Sequence, residues 1–435
     1  MRKPFEVVEY DNIICNKEYE GYDKYKFMDT ADFDNLRQFI HEFVGNEKHA
    51  DVLDFMRISY KRNVGEIITI KNYVGLIQIK NGFQIEVLPK IDFVDKEEDE
   101  GHKRTKQIFT KMLCSLKDFP GKIFNNAHLQ IEKMSLYEIF INMYLQEVQH
   151  LVAKGLKAGY VGIEDNLNFY KGKLLVNQHI KSNLFRGERF FVSFDDFNFN
   201  RAENRLIKAT LLHLKHITSS AENSKRIGQL LISFELIEPS INLVGDFSKV
   251  QLDRSNEEYD KLMQWSKVFL LKQSFTAFSG KSMNHSLLFP MEYVYESYVA
   301  KQVQKLFGNS GWSVKCQTTK KYLFDEPLPK FSLRPDITLE KDGRMVIMDT
   351  KWKLLNDNVQ TNYGISQADM YQMYAYSKKY EAGDIWLLYP MNKNVYQLKD
   401  ICYSSFDGVK VHVFFVDLGD IDNSMKLLEQ NVLQQ

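Results

Sequence analysis

The chain is 435 residues long, with 44% hydrophobic and 13% aromatic residues, a composition that supports two or three domains with cores of their own and excludes an intrinsically disordered protein. Its 57 Lys and Arg balance 57 Asp and Glu, so there is no global basic field, and any binding of nucleic acid rests on a local patch, a bound metal or a partner's charge. Cys15, Cys114, Cys316 and Cys402 show neither metal-ligand spacing nor a disulfide framework. The N-terminal MRKPFEVVEYDN lacks an apolar signal core, and no apolar run approaches the roughly 18 residues that span a bilayer, which predicts a cytoplasmic protein without a membrane segment.

The first ninety or so residues end in IITIKNYVGLIQIKNGFQIEVLPKI, which alternates apolar and polar positions around Asn81-Gly82, a hairpin signal, and predicts a β-rich module over residues 1–94. A nearly apolar-free stretch, Asp95 to Arg104, reads as a solvated linker. From Thr105 the period becomes helical through Ile108, Met112 and Leu116, and again from Ser135 to Lys157. There Leu136, Ile139, Phe140, Met143, Tyr144, Val148 and Leu151 form a core stripe behind a Ser135/Glu138 start signal. Residues 160–200 are β-like, with aromatic and basic side chains interleaved as they would be in a surface gripping a phosphate backbone or a protein partner, or in a plain hairpin with solvated lysines. Two more helices follow, one with Leu206, Ile207, Thr210, Leu211 and Leu214 on its buried face, the other with Tyr259, Leu262, Trp265 and Phe269. Gly280 then closes a mixed helical region spanning 105–279.

The last segment, 280–435, opens with a helix from Met291 to Leu306 that carries Glu292 and Glu296, and continues into FSLRPDITLEKDGRMVIMDTKWK. Asp342-Gly343 supplies the two positive φ values that a type I′ turn needs, which pairs Lys341 with Arg344 and, counting outward, sets Asp336 opposite Asp349. Opposed carboxylates at about 5 Å repel one another. A hard cation such as Mg²⁺ converts that repulsion into a binding site, because it accepts one or two carboxylates and keeps waters for a phosphate. Strand alternation places Lys351 on the face of Asp349. The same residues also read as a turn aspartate plus an exposed Asp349–Lys351 ion pair, although the apolar run Met345–Met348 argues for a buried strand whose terminal charges need a partner. Ser366 and Asp369 then cap QADMYQMYAYSKKY, a helix with Gln367, Tyr371 and Tyr374 on one face and an aromatic spacing typical of core. DIWLLYP and KVHVFFVDL close the chain as apolar strands, so the order helix, hairpin, helix, strand, strand predicts an α/β sandwich with the acidic site at one end of its sheet.

This order of Glu296, Asp336, Asp349-Thr350-Lys351 and the Gln367 helix resembles the PD-(D/E)XK nuclease superfamily. More narrowly, LRPDI, VIMDTKWK and SQADMYQMYAY, with the upstream NRLIKATLLHL and the PKI ending of the first module, resemble the McrC family of endonuclease subunits in McrBC-type modified-cytosine restriction systems. The resemblance implies a multidomain α/β chain with a C-terminal restriction-endonuclease-like sandwich. Asp336, Asp349 and Glu296 would be its Mg²⁺ ligands, Lys351 its catalytic lysine, and Gln367 a residue orienting DNA or water. It also implies an McrB-like AAA+ GTPase hexamer as partner, docked through the N-terminal half, and double-stranded DNA with modified cytosine as substrate, cut by a nuclease-domain dimer or paired complexes. No GxxxxGK[ST] loop occurs in the chain, so GTP belongs to the partner. Two other readings stay open: a scaffold and GTPase activator with little nuclease activity, and a stand-alone sequence-specific DNA nuclease.

Overall fold

A computed structural model of the chain describes residues 4–46, 56–78, 83–91, 98–117, 119–120, 134–250, 257–271, 286–317, 321–398 and 401–434. The Asn81-Gly82 turn and Gly280 lie outside them. The chain divides into two compact units, one built on Tyr137–Phe275 and the other joining Arg2–Lys122, Asn126–Leu136 and Thr276–Gln435. No helix of the described residues is long and apolar enough to cross a membrane.

The middle one of the three segments read from the sequence, 105–279, contains the Tyr137–Phe275 unit, while the first and last segments fall together in the other unit. The reason is strand pairing. Ser286–Pro290, just ahead of the helix that carries Glu296, pairs antiparallel with Tyr73–Gln78, completing a four-stranded sheet with Phe5–Val8 and Gln84–Leu88. Gly75 makes that pairing sterically feasible: at φ 131°, a Cβ there would meet the Leu287 carbonyl oxygen at 2.0 Å. The stretch read as a linker is also corrected, since Glu98–Leu113 is a continuous helix. Its polar first turns precede an apolar face of Ile108, Phe109, Met112 and Leu113, all buried, and Phe109 packs edge-on against Phe289 of the added strand at 6.3 Å between centroids. A second four-stranded sheet, Tyr25–Phe27, Asn12–Ile14, Gly65–Ile70 and Met56–Lys61 in order, completes the N-terminal part.

The C-terminal part is a six-stranded mixed sheet in the order Ser313–Cys316, Ile337–Lys341, Arg344–Thr350, Asp384–Pro390, Lys410–Val416, Ile401–Ser404. The two central junctions, on either side of Asp384–Pro390, are parallel. Strands buried on both sides are continuously apolar, as Val346–Met348 and Ile385–Tyr389 are. Ile347, Ile385, Leu387, Val411 and Val413 share one core with Met373, Tyr376 and Tyr380 of the Gln367–Tyr380 helix. That helix starts where the cap signature puts it, with Ser366 Oγ accepting from Asp369 N at 3.1 Å.

In the other unit, the helices Leu136–Lys154, Ala202–Ile217, Ala221–Ser233 and Glu257–Leu271 enclose a core of Tyr144, Trp265, Leu206, Leu211 and Ile227. The β-like residues form a long antiparallel pair, Gly159–Leu167 with Phe190–Asn198, that leaves Tyr160 and Phe197 opposed and exposed, their rings 5.2 Å apart.

The sheet of the N-terminal part holds a buried charge cluster: Lys106 Nζ lies 2.5 Å from Glu6 Oε1 and 3.0 Å from Glu86 Oε2, with Lys106 and Glu86 almost fully enclosed. Lys106→Ala strands the Glu86 carboxylate and is expected to cost about 3 kcal/mol or more in urea-denaturation stability, whereas Lys106→Met combined with Glu86→Gln recovers much of that loss by leaving no ion buried.

A candidate site of three carboxylates and a lysine

The hairpin forms as its turn chemistry requires. Asp342 and Gly343 take φ 51° and 80°, and the ladder runs from Lys341 opposite Arg344 to Ile337 opposite Met348. Asp336 and Asp349 follow the last of these pairs on the two strands, at the open end of the hairpin. The Asp336 carboxylate crosses the strand end to accept from both the backbone N–H and the Oγ1 of Thr350, each at 2.7 Å. Asp349 is only 1% exposed, because its strand runs through the middle of the sheet and its backbone is paired with Leu387.

Lys351 continues that strand edge through its N–H to Leu388 O at 3.0 Å. Its ammonium donates to Asp349 Oδ2 at 2.5 Å and to Gln372 Oε1 at 3.2 Å. The ion pair is therefore half-buried, with Asp349 enclosed, and not the exposed surface pair that one reading of the sequence allowed. Glu296, on the Met291–Asn309 helix, accepts from Gln317 Nε2 at 2.5 Å. Glu292, one turn earlier, is exposed and adjoins Glu9 and Tyr10 instead.

Burial and mutual repulsion dominate the electrostatics. Desolvation, then the neighbouring Asp336, pushes the Asp349 carboxyl up to about 7 despite its lysine partner. Glu296 is pushed up to about 7 by the same two causes in the same order. Asp336 is also raised by burial, against the two Thr350 hydrogen bonds that oppose the shift. Lys351 is held above its ordinary range: burial alone would lower it, but Asp349 outweighs that. Among the described residues no three His, Cys, Asp or Glu side chains converge as a finished metal shell. The donor set nevertheless fits a hard divalent cation, since carboxylates that resist ionisation because they repel one another are stabilised by a shared positive charge.

Gln367, expected at the site, is not brought there. Its Nε2 donates to Tyr371 OH at 2.5 Å on an exposed helix face, where Tyr371 and Tyr374 also lie, so the aromatic spacing read as core faces outward. Gln372 takes that place, beside the buried stripe of Met373 and Tyr376, with its Nε2 donating to Tyr376 OH at 2.7 Å. The i, i+4 spacing of Gln372 and Tyr376, offset from the Gln367 face, was the available signal. Sequence reading also passed over Gln317, which sits at φ 50° with its N–H on Asp336 O at 2.9 Å, and Arg334, which donates to Gln317 Oε1. Gln317 directly follows the Ser313–Cys316 strand, away in sequence from both aspartates, and no local pattern marks it.

The family described as McrBC 5-methylcytosine restriction system component matches residues 68–390. Among solved structures, the fold is similar to a chain of a Thermococcus gammatolerans half-complex from a tetradecameric assembly of McrB AAA+ hexamers with bound McrC. The TM-score is 0.66 at 19% identity, covering 99% of this chain and 100% of that one. A chain of the cryo-EM structure of the Thermococcus gammatolerans McrBC complex is similar at TM-score 0.45 and 20% identity, covering 68% of this chain and 86% of that one. No curated protein matches.

Because Asp349 binds a proton more tightly when folded, stability attributable to it is present below the unfolded carboxylate range and is lost as pH rises through about 7. Asp349→Asn is expected to raise the thermal midpoint at pH 8 and to change it little at pH 4, as read by differential scanning calorimetry without divalent cations.

Proposed function

We propose, for a chain that belongs to the McrBC family of 5-methylcytosine restriction system components, that it is the DNA-cleaving subunit of a GTP-dependent, modification-directed restriction system. The observation that carries this reading is the convergence of Asp336, Asp349 and Lys351 at the open end of one hairpin. Glu296 supplies a third carboxylate, coupled electrostatically to Asp336. The helix, hairpin, helix, strand, strand order around a mixed sheet supports a PD-(D/E)XK arrangement of the C-terminal part. Asp336 and Asp349, with Glu296 in reserve, would hold Mg²⁺, which when bound supplies an activated water and offsets charge on the scissile phosphate.

The chain's own residues do the rest. Asp349 anchors the Lys351 ammonium, and Gln372 fixes its second hydrogen bond, so the cation is aimed before substrate arrives and stabilises phosphoryl charge without reorganising. Gln317 holds Glu296 in its turn. Hydrolysis of GTP and reading of the modified base belong, in this proposal, to an McrB-like AAA+ hexamer, of the kind named with McrC in the solved assembly. Phe185, Leu236 and Ile241 of the Tyr137–Phe275 unit are 95%, 90% and 91% exposed, which supports a protein-contacting role for that unit. A scaffold that stimulates the GTPase without cutting is the second reading, and the same exposed residues favour it.

Asp349→Ala is expected to abolish Mg²⁺-dependent cleavage of methylated plasmid in the presence of the partner and GTP, while GTPase stimulation stays at the wild-type level. Stimulation without cleavage by the wild-type chain would leave the scaffold, and loss of both functions in a folded variant would sink the two-role reading. Cleavage at limiting Mg²⁺ should rise with pH through about 7, where Asp349 and Glu296 ionise, and the midpoint should move to lower pH as Mg²⁺ is raised, because metal and proton compete for the same oxygens. Gln367→Ala should leave the rate within about twofold of wild type, whereas Gln372→Ala should cost on the order of tenfold, as loss of one positioning contact does.

A further inference from the structure

One buried carboxylate takes no part in the site described above. Glu9 directly follows the first strand, Phe5–Val8, and is 1% exposed. Its Oε2 accepts from the indole Nε1–H of Trp352 at 2.9 Å and from Lys90 N at 3.2 Å. Its Oε1 has no hydrogen-bond partner among the described residues. Burial pushes the carboxyl up to about 7, with Glu292 nearby adding to the shift. A side chain placed where its ionised form is disfavoured, with one oxygen unsatisfied, is a costly way to hold a sheet edge. What it holds is the residue immediately after Lys351.

Trp352 is fixed from two sides: its indole N–H by Glu9, its ring by the fully buried Tyr295 at 5.3 Å between centroids. Tyr295 in turn precedes Glu296 on the Met291–Asn309 helix. One indole therefore touches the neighbour of one site residue while being the neighbour of another. The segment that ends the strand departs from regular pairing here: Lys351 N bonds Leu388 O, Lys353 N bonds Lys351 O, and the ladder does not continue. Beyond the ladder, the direction of the Lys351 side chain depends on how the following residue is held.

Resting on the nuclease reading, we infer that Glu9 is a positioning residue for the catalytic lysine: by gripping the Trp352 indole N–H it fixes the end of the 344–350 strand and so the aim of the Lys351 ammonium. The N-terminal sheet is on this view part of the nuclease machinery as well as a docking element. Tyr10 OH donating to Asn72 Oδ1 at 2.6 Å and Met291 N to Asn72 O at 2.8 Å tie the same corner of the sheet to the start of the Glu296 helix.

The test compares Glu9→Leu, Glu9→Gln, Trp352→Phe and the Glu9→Leu/Trp352→Phe double variant in the full chain. Trp352→Phe keeps an aromatic ring against Tyr295 while removing the N–H together with part of the indole; Glu9→Gln retains an acceptor. Two measurements are made on each: kcat and KM for methylated DNA with partner, GTP and Mg²⁺, and the rate at which sulfo-NHS acetate acetylates Lys351, read by peptide mass spectrometry. The first three outcomes required are a kcat loss on the order of tenfold in Glu9→Leu and in Trp352→Phe with KM unchanged, as a small misplacement of a catalytic group produces; no further loss in the double variant; and near-wild-type rates in Glu9→Gln. The fourth is faster acetylation of Lys351 in the two single variants that break the contact. Additive losses in the double variant, a KM effect alone, or unchanged Lys351 acetylation in a folded Glu9→Leu chain would overturn the inference. Acetylation decides the positioning claim even if the wild-type chain does not cut DNA, an outcome that would defeat the nuclease reading by itself; Asp349→Ala run in parallel separates the two failures.

Discussion

The central constraint on this molecule is the burial of two carboxylates side by side at the end of one hairpin. Loss of water raises all three acids of the site, and repulsion from Asp336 adds to the shift of Asp349 and of Glu296. Such an arrangement persists only where the surrounding fold over-determines it. Here the scaffold does so with a central strand, Arg344–Thr350, whose backbone is paired on both sides, with two Thr350 hydrogen bonds to Asp336, and with a lysine whose own burial is tolerated because Asp349 is beside it. The site is destabilised where it stands and stabilised by everything around it, which is the usual price of electrostatic preorganisation.

That requirement explains why the N-terminal sheet and the C-terminal sheet belong to one compact unit. All six strands of the C-terminal sheet lie within residues 313–416. The helix carrying Glu296, however, begins directly after a strand that pairs with Tyr73–Gln78, so the N-terminal sheet sets where that helix starts. The intervening Tyr137–Phe275 unit is then an insertion between two halves of one body, and its exposed aromatic and aliphatic side chains are free for another role.

The hairpin was legible because its determinants are local: Asp342-Gly343 dictates the turn, the turn dictates the register, and the register brings two residues thirteen apart in sequence together. The Ser366 cap was legible for the same reason. The linker reading of the 95–104 stretch failed from Glu98 onward because polar composition describes a solvated helix face as well as it describes a loop, and only the packing of Ile108 and Phe109 distinguishes them. Gln372, not Gln367, is the glutamine that reaches Lys351, and Gln367 lies on the exposed face of the helix. Its spacing with Tyr371 and Tyr374 correctly defined a face, but spacing cannot say which face turns inward when the polar and aromatic residues are so evenly mixed.

By itself the sequence determined which residues form the strand ends and turn, that Asp336 and Asp349 must meet, and that no P-loop accompanies them, since each follows from φ preference, strand alternation or residue type along a short stretch. Only the tertiary structure decided that Gln372 and Gln317 hold the lysine and the glutamate, that Glu296 and not Glu292 faces Asp336, and that Glu9 reaches Trp352. Those contacts join residues on separate elements, and their partners are chosen by how helices and sheets pack, which depends on side chains spread across the whole unit and is not encoded in any one window of the chain.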